Sequence, residues 1–470
     1  MFVGRVKELA SLEKLYHKDS FQFAVVYGRR RVGKTTLINE FCKGKKTVYF
    51  TSVESTAKEN LGVLSVRILE ALAPDAPRNP FGSFSDALDY VFAFARNERV
   101  IFAIDEYPYL AESDRAVSSI LQAAIDKNQN DSKLFLILCG SSMSFMENQV
   151  LGYKSPLYGR RTSQYKILPF DYFESAGMLY GFDEADKITL YGITGGIPDY
   201  IARVDNSLSL RVNVKDMFFD PSGRLFEEPS NLLKQELRSP QTYNGIITAI
   251  ATGGSRLNEI AAKTGIETGH CSNMLDTLIS LGLVKKESPV TEQNSKRTIY
   301  VLEDQMFRFW YTFIMPEVSR IMAGLGEMAC DGIFGMRLNT HVGYTFEECA
   351  KQYMWRELAG GALPVSFKKI GRWWGPNKAE RREEEIDFIA YSDESAIFGE
   401  CKWRNEKVGL DIFEGLTAKS ELLAQFTRKY FYIFSKSGFT EGLVNHALGM
   451  DNLRLISLAE MFTISSRNVF

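Results

Sequence analysis

The chain has 470 residues, enough for about three domains, and 45% hydrophobic with 24% charged side chains, which excludes a disordered chain. Its 56 basic and 58 acidic side chains give a formal net charge of −2, so a chain-wide basic coat for nucleic acid is excluded, though a local basic patch is not. Six scattered cysteines without a CxxC pair, with only four histidines, argue against structural zinc and fit reduced thiols in a cytoplasm. The opening MFVGRVKELASL lacks an apolar h-region, so no signal peptide is expected. No apolar run approaches the roughly 18 residues of a membrane span. A cytoplasmic protein without membrane contact is the expectation.

Strand and helix signals alternate over the first 200 or so residues. Phe21–Tyr27 is a short apolar run ending at a glycine, followed by a helical stretch, Thr35–Phe41. Lys46–Phe50, Val100–Ile104 and Leu134–Leu138 are further strand candidates. Such continuous apolar runs suit strands buried on both faces, with helices as crossovers, and predict a parallel α/β sheet. From residue 241 the pattern changes to helices at Tyr243–Thr252, Leu257–Thr264 and Gly269–Leu281. Two strand-like pieces, Leu283–Glu287 and Arg297–Leu302, follow around the polar turn TEQNS, and together these describe a winged helix. An aromatic helical stretch at 305–335 leads to a second α/β pattern. That pattern has a helix at Val342–Arg356, strands near Val365–Ile370, Glu385–Ala390, Ala396–Cys401 and Tyr430–Phe434, and a helix at Asp411–Leu423. The expected domains are 1–205, a helical connection 206–240, the winged helix 241–304, a helical linker 305–335, and 336–470.

Gly28-Arg-Arg-Arg-Val-Gly33-Lys34-Thr35 matches GxxxxGK[ST] between a predicted strand and a predicted helix. Glycines there let backbone N–H groups turn around a phosphate, Lys34 neutralises its oxygens, the Thr35 hydroxyl ligates Mg²⁺, and Thr36 beside it borders the bound nucleotide, ATP. The strand at Val100 ends in Asp105 and Glu106. The first carboxylate can hold the Mg²⁺ hydration shell and the second can polarise an attacking water. The strand at Leu134 runs into Gly140-Ser141-Ser142, where either serine could touch the γ-phosphate or that water. Arg160 and Arg161 follow a flexible turn and could stabilise charge on a transferring phosphoryl group, or simply form an exposed basic loop. Gly195-Gly196-Ile197-Pro198 reads as a rigid turn before a helix.

Taken together, Phe2-x-Gly4-Arg5-x-x-Glu8-Leu9, GRRRVGKT, AIDEYPYL, CGSS, YGRRT and GGIPDYI resemble the archaeal-type ATPases of the STAND group, relatives of AAA+ enzymes. The resemblance covers nearly the whole chain. It implies a C-terminal domain of the PD-(D/E)xK nuclease type, a nucleotide-controlled switch with slow ATP hydrolysis, and Phe2, Gly4, Arg5 and Pro198 near the adenine.

The later modules carry their own signals. Residues 241–304 hold six basic and seven acidic side chains, and GHCSNMLDTLISL has neither Lys nor Arg, so strong independent DNA binding is not expected. His270, Ser272 and Asn273 could still read base edges. Further on, Asp387 lies on EEIDFIA, and thirteen residues later Glu400 and Lys402 share one face of AIFGECKW. Two carboxylates near adjacent strand ends can hold Mg²⁺ or Mn²⁺, and Lys402 can assist the attacking water or the phosphorane. Glu347, on the preceding helix, is a further candidate ligand. Lys368, Lys369, Arg372, Lys378, Arg381 and Arg382 interleave with Trp373 and Trp374, which suits a nucleic-acid backbone or, equally, a solvated loop over core tryptophans.

The expected fold is α/β: a P-loop NTPase with a parallel sheet, a helical winged-helix domain and a restriction-endonuclease-like α/β domain. The expected function is an ATP-binding switch controlling a metal-dependent, DNA-interacting nuclease-like domain. The alternative is an ATP-dependent regulator or scaffold that binds DNA or protein without cleavage. Either is compatible with an oligomer.

Overall fold

A computed structural model describes residues 2–292 and 295–463; the middle of the TEQNS turn lies outside the described residues. The chain divides into two compact units. The first comprises Met1–Pro169 with Ile197–Asp199, and the second comprises Phe170–Gly196 with Tyr200–Phe470. Among the described residues no helix is long and apolar enough to cross a membrane.

The first unit is a parallel sheet wrapped by helices. Its elements are α1 (Val6–Tyr16), β1 (Gln22–Tyr27), α2 (Lys34–Cys42), β2 (Thr47–Thr51), α3 (Ala57–Leu72), α4 (Phe84–Phe94), β3 (Val100–Asp105), α5 (Tyr107–Ser113), α6 (Val117–Asn128), β4 (Leu134–Gly140) and β5 (Ser163–Lys166). The strand order is β2-β3-β4-β1-β5, with every pairing parallel. β1, β3 and β4 are buried at every position, as their unbroken apolar runs require. β5 was not foreseen: SQYK alternates between half-buried and exposed at the sheet edge and has no apolar signal of its own. The four expected strands and the helix after the first glycine loop are present within a residue or two. Phe23, Val25, Ile104, Leu136 and Leu138 join helix residues such as Leu64, Ile68, Val91 and Leu121 in one core.

The second unit begins with helices: α7 (Glu184–Thr194), α8 (Leu210–Phe218), α9 (Glu228–Glu236), α10 (Pro240–Ala251), α11 (Leu257–Thr264), α12 (Thr268–Ser280). An antiparallel hairpin follows, β6 (Val284–Glu287) with β7 (Ile299–Leu302). After a run of short helical turns, the long α13 (Met336–Ala359) leads into β8 (Lys369–Asn377), β9 (Arg382–Ser392), β10 (Ser395–Lys402), α14 (Leu410–Ser420), β11 (Arg428–Ser435), α15 (Glu441–Leu448) and β12 (Leu453–Ser457). The order is β12-β11-β10-β9-β8; β8, β9 and β10 pair antiparallel, whereas β10, β11 and β12 pair parallel. The strand expected near Val365–Ile370 starts later, at Lys369, and sends Trp373 into the sheet core, while Val365 and Phe367 are buried ahead of it outside any strand. Phe170–Gly196, read from sequence as part of the first domain, packs into the second unit. Gly192 leaves no room for a Cβ against Thr345 of α13, and Gln352 Nε2 donates to the Tyr191 hydroxyl at 2.9 Å.

Candidate functional site

The first site forms where the parallel strands of the first unit end, the edge at which open α/β sheets place ligands. β1 runs into Gly28, whose φ of 155° and Cβ-free approach to Ile167 O admit only glycine. The chain then loops through three arginines and enters α2 at Lys34. Lys34 is buried, and its ammonium donates to Gly28 O and Arg29 O, both at 2.9 Å, so the cation sits within the curl of the loop. Gly33 lies against Pro198, whose Cγ is 3.8 Å from the position of a Cβ there. Asp199 N–H donates to Arg31 O at 3.4 Å. Arg5, also buried, donates through Nη2 to Val32 O at 3.0 Å and to Leu168 O. The N-terminal motif therefore braces the loop backbone. Phe2 is half-buried, Gly4 turns with φ 68°, and Thr36 is exposed on α2.

β3 and β4 supply the acids and their orientation. The Thr35 hydroxyl donates to Asp105 Oδ2 at 2.8 Å. Asp105, buried, also accepts from the Tyr49 hydroxyl at 2.8 Å and from Glu106 N at 3.0 Å. Burial beside that carboxylate pushes the Tyr49 phenol well above its ordinary range, so it remains a donor. Glu106 holds a left-handed backbone (φ 51°), and its carboxylate accepts from Ser141 Oγ at 2.9 and 3.1 Å and from Ser141 N at 3.3 Å. Of the two serines after β4, Ser141 is the one against Glu106. The sheet order explains this, because β4 lies between β3 and β1 and its first loop residue stands between their ends. A hydroxyl and a carboxylate 2.8 Å apart are hard oxygen donors suited to a hydrated Mg²⁺.

The two arginines differ. Arg160 grips Asp126 of α6 through Nε and Nη2, both at 2.7 Å, and donates to Pro156 O at 2.8 Å. Its guanidinium is brought to that carboxylate, a partner 34 residues upstream that no local pattern reveals. Arg161 is half-buried; burial pushes the Tyr27 phenol at the end of β1 up, and the Lys166 charge and, more weakly, the Arg161 charge oppose it.

The second set of candidates lies on α13, β9 and β10. Asp387 Oδ2 accepts from Cys401 N at 2.7 Å, which ties it across to β10 beside Glu400. Glu400, buried, accepts from Lys402 Nζ at 2.6 Å and from Lys419 Nζ at 3.5 Å. Burial, then the Glu400 charge, pushes Asp387 up to about 7, and burial with the Asp387 charge pushes Glu347 up to about 8. Burial lowers the Lys402 ammonium pKa, but Glu400 outweighs it and the net direction is up. The three carboxylates thus form a mutually repelling chain. Among the described residues no group of three or more His, Cys, Asp or Glu stands close enough to hold a metal ion. The glycine before Glu400 is obligatory, because a Cβ at Gly399 would lie 2.0 Å from the Phe388 ring.

The basic-aromatic stretch is largely committed to structure. Trp373 is buried in the sheet core, and Arg372 pairs with Glu385 and, at 3.7 Å, with Glu287. Lys368 pairs with Asp393 at 3.7 Å, and Arg382 pairs with Glu380 and Glu384 at 2.7 Å each. On α12, His270 and Asn273 are exposed and Ser272 is half-buried, but Glu267 already caps the helix N-terminus by accepting from Gly269 N at 2.8 Å and His270 N at 3.0 Å. A carboxylate in that place repels a phosphate.

Residues 2–204 match the family described as an ATPase domain predominantly from Archaea, and residues 310–412 match one described as archaeal and bacterial proteins of unknown function. The chain is 31% identical over 449 residues to the uncharacterized protein MJECL04 of Methanocaldococcus jannaschii, covering 93% of this chain and 96% of that one. It is 48% identical over 46 residues to the uncharacterized ATP-binding protein MJ0423 of the same organism, 10% of this chain and 78% of that one. Among solved structures, the Walker-type ATPase PABY2304 of Pyrococcus abyssi superposes with a TM-score of 0.51 at 19% identity, over 66% of this chain and 96% of that one, a likeness of fold.

Proposed function

Because the chain belongs to the family of the Methanocaldococcus jannaschii protein MJECL04 and opens with an archaeal-type ATPase domain, we propose that it is an ATP-binding, STAND-type switch. In this reading its nucleotide state controls a metal-dependent, nuclease-like C-terminal domain that acts on DNA. The observation that carries the ATPase half is the cluster at the strand ends: Lys34 curled into its loop, Thr35 bonded to Asp105, and Glu106 held by Ser141. Lys34 and the loop N–H groups bind the phosphates. Thr35 and Asp105 hold Mg²⁺, which when bound supplies charge neutralisation at the phosphates. Glu106 accepts the proton of the attacking water, and Ser141 fixes the carboxylate that does so. Arg5, Phe2, Gly4 and Pro198 border the nucleotide, with Arg5 acting through the loop backbone. Arg160 is held by Asp126, which leaves Arg161 as the arginine of the pair to meet phosphoryl charge.

For the C-terminal half, the bond from Cys401 N holds Asp387 beside Glu400, and a divalent ion shared by these two carboxylates would relieve the repulsion between them, with Glu347 outside that pair. Helices α10–α12 with the β6–β7 hairpin serve as a winged-helix module of structural role. A scaffold reading is favoured by one observation: both Glu400 oxygens already pair with lysines, Lys402 and Lys419. Nicking of plasmid DNA by the full chain in Mg²⁺ or Mn²⁺, with ATP, ADP or no nucleotide, separates the two. The switch reading expects nicking that depends on nucleotide and is lost in Asp387→Asn. Binding without nicking under every metal and nucleotide condition would leave the ATP-dependent regulator or scaffold.

A further inference from the structure

β10 and β11 are parallel, with Lys402 beside Ser435, so both strands deliver their next residues to the same edge of the sheet. The two loops leaving them are pinned together. Lys436 N donates to Lys402 O at 3.1 Å, the Ser437 hydroxyl to Arg404 O at 2.7 Å, and Lys436 Nζ to Asn405 Oδ1 at 2.9 Å. Val408 and Thr440 close the pair, with Val408 N on Gly438 O and Thr440 N on Val408 O, both at 3.0 Å. This rigid double loop carries Trp403, Arg404, Lys407 and Lys436, against a single acid, Glu406. The Trp403 ring is clamped by Phe346, 5.1 Å away, and by the Lys436 ammonium, 5.1 Å over its face. Even so, Trp403 Nε1 and Arg404 Nε are buried without a hydrogen-bond partner. Arg404 makes no ion pair among the described residues. Buried donors without acceptors are uncommon in folded chains. Here they occur on adjacent residues at the carboxyl end of a parallel strand pair, where ligands are received. Trp403 Nε1 and the Arg404 and Lys436 cations donate and cannot accept, and among the described residues only Asn405 Oδ1 and the Asp186 charge, both acting on Lys436, answer them, so the matching ligand is rich in oxygen acceptors and negatively charged.

We propose that Trp403, Arg404 and Lys436 form a ledge that grips a backbone phosphate of a nucleic-acid strand, next to the Glu400–Lys402 pair. The inference rests on the nuclease-like reading of this domain and names the surface on which that reading's substrate would lie. It replaces the 368–382 cluster as the strand-binding element, because several of those cations are already paired.

The test is fluorescence anisotropy of the full chain in EDTA, from 50 to 200 mM NaCl, with labelled 20-nucleotide DNA, the same sequence as RNA, and duplex DNA. Arg404→Ala combined with Lys436→Gln should weaken binding about tenfold or more. It should also flatten the dependence of log affinity on log salt by about two phosphate contacts, each worth a slope of roughly 0.7 to 0.9. Arg404→Gln alone should flatten it by about one contact, so the reading survives should the double variant fail to fold. Arg404→Lys should restore the slope. Unchanged affinity and slope in the double variant, or no binding of any probe at 50 mM salt, overturns the proposal. Displacement of the strand by low-millimolar inorganic phosphate without a salt slope also overturns it, in favour of a free-phosphate site. Nicking assays in Mn²⁺ keep the two readings apart. Loss of binding in the double variant of a chain that never nicks keeps the ledge and removes the nuclease. Nicking by a double variant that binds as wild type does the reverse.

Discussion

Replacing Lys34 isolates the charge at the centre of the nucleotide site. In the ligand-free chain its ammonium makes at least two bonds, to Gly28 O and Arg29 O, each 2.9 Å long, from a buried position. Hydrogen bonds involving a charged group are each worth about 1.5–3 kcal/mol, but water can enter and solvate freed carbonyls, so Lys34→Met should cost the ligand-free first unit about 2 kcal/mol. That corresponds to a fall of roughly 4–8 °C in its melting transition. Met keeps the apolar stem packed, whereas Ala would add a cavity. On nucleotide addition the wild-type ammonium exchanges carbonyl partners for phosphate oxygens. The exchange gains because the partners change from dipoles to full negative charges. Loss of about 2–4 kcal/mol from that contact weakens MgATP binding about 30- to 1,000-fold. Calorimetric titration of MgATP into the full chain measures the affinity, and thermal unfolding without nucleotide measures the first effect. A Lys34→Met affinity within twofold of wild type would refute the assignment of the loop as the phosphate site.

Glu106→Gln should leave MgATP affinity unchanged and slow phosphate release about 100- to 10,000-fold, whereas Ser141→Ala should slow it less and have no added effect in the Glu106→Gln background. His341 sits between Phe309 and Phe313 with Nε2 3.3 Å from Gly192 O, and burial, then the Arg308 charge, pulls its pKa down to about 3. The folded chain therefore binds that proton later than the unfolded chain. Its stabilising contribution is present above about pH 6.5 and falls by about 1.4 kcal/mol per unit as pH drops toward 3. Denaturant unfolding of wild type against His341→Gln between pH 4 and 7 should show that difference in slope; parallel curves would count against it. Gly399→Ala forces a methyl into the Phe388 ring and should cost about 1–3 kcal/mol or more, and Phe388→Leu in the same chain should recover part of that cost.

The first site was legible because its chemistry is contiguous. A glycine loop between strand and helix, and two acids at a strand end, keep their meaning wherever the flanking helices go. The choice of Ser141 over Ser142 needed the strand order, which no local pattern encodes. The expectation for Arg160 failed to anticipate its pairing with Asp126, because a salt bridge across 34 residues leaves no periodic trace. Edge strands were hardest: β5 and β12 are short and half-buried, and β8 hides its single core tryptophan among cations. Alternation did place Glu400 and Lys402 on one face, and they lie 2.6 Å apart. The bond from Cys401 N to Asp387 depends on the register between β9 and β10, and that is fixed partly by Gly399 accommodating Phe388.

The β6–β7 hairpin decides how the C-terminal sheet can be studied in isolation. Val290 N donates to Arg372 O at 2.9 Å, Arg297 Nη1 to Trp374 O at 2.8 Å, and the Tyr391 hydroxyl to Val290 O at 3.0 Å. These bonds cover β8, an edge strand that would otherwise present unpaired backbone groups. Charges follow the same route. Lys285 bridges Glu287 at 2.6 Å and Glu348 at 3.0 Å, and Arg372 reaches Glu287. Burial alone would raise Glu348, yet Lys351 and Lys285 hold it down to about 2. A 336–470 fragment keeps Lys351 and Glu385 but loses Lys285, Glu287, Val290 and Arg297 together. Each buried bond to a charged partner that is broken costs about 1–3 kcal/mol, and three or four of them approach the whole stability of a small domain. The 336–470 fragment should therefore aggregate or melt well below the full chain's C-terminal transition, and a 170–470 fragment, which keeps both the hairpin and the Phe170–Gly196 segment packed on α13, should not. Differential scanning calorimetry and size-exclusion chromatography of both fragments read this directly. Equal melting temperatures would mean that the hairpin and the Phe170–Gly196 segment only rest on the C-terminal domain. A gap between them would require nuclease assays on this domain to include residues from 170 onward, since inactivity of the shorter piece would then reflect an uncovered edge and helix rather than the carboxylates.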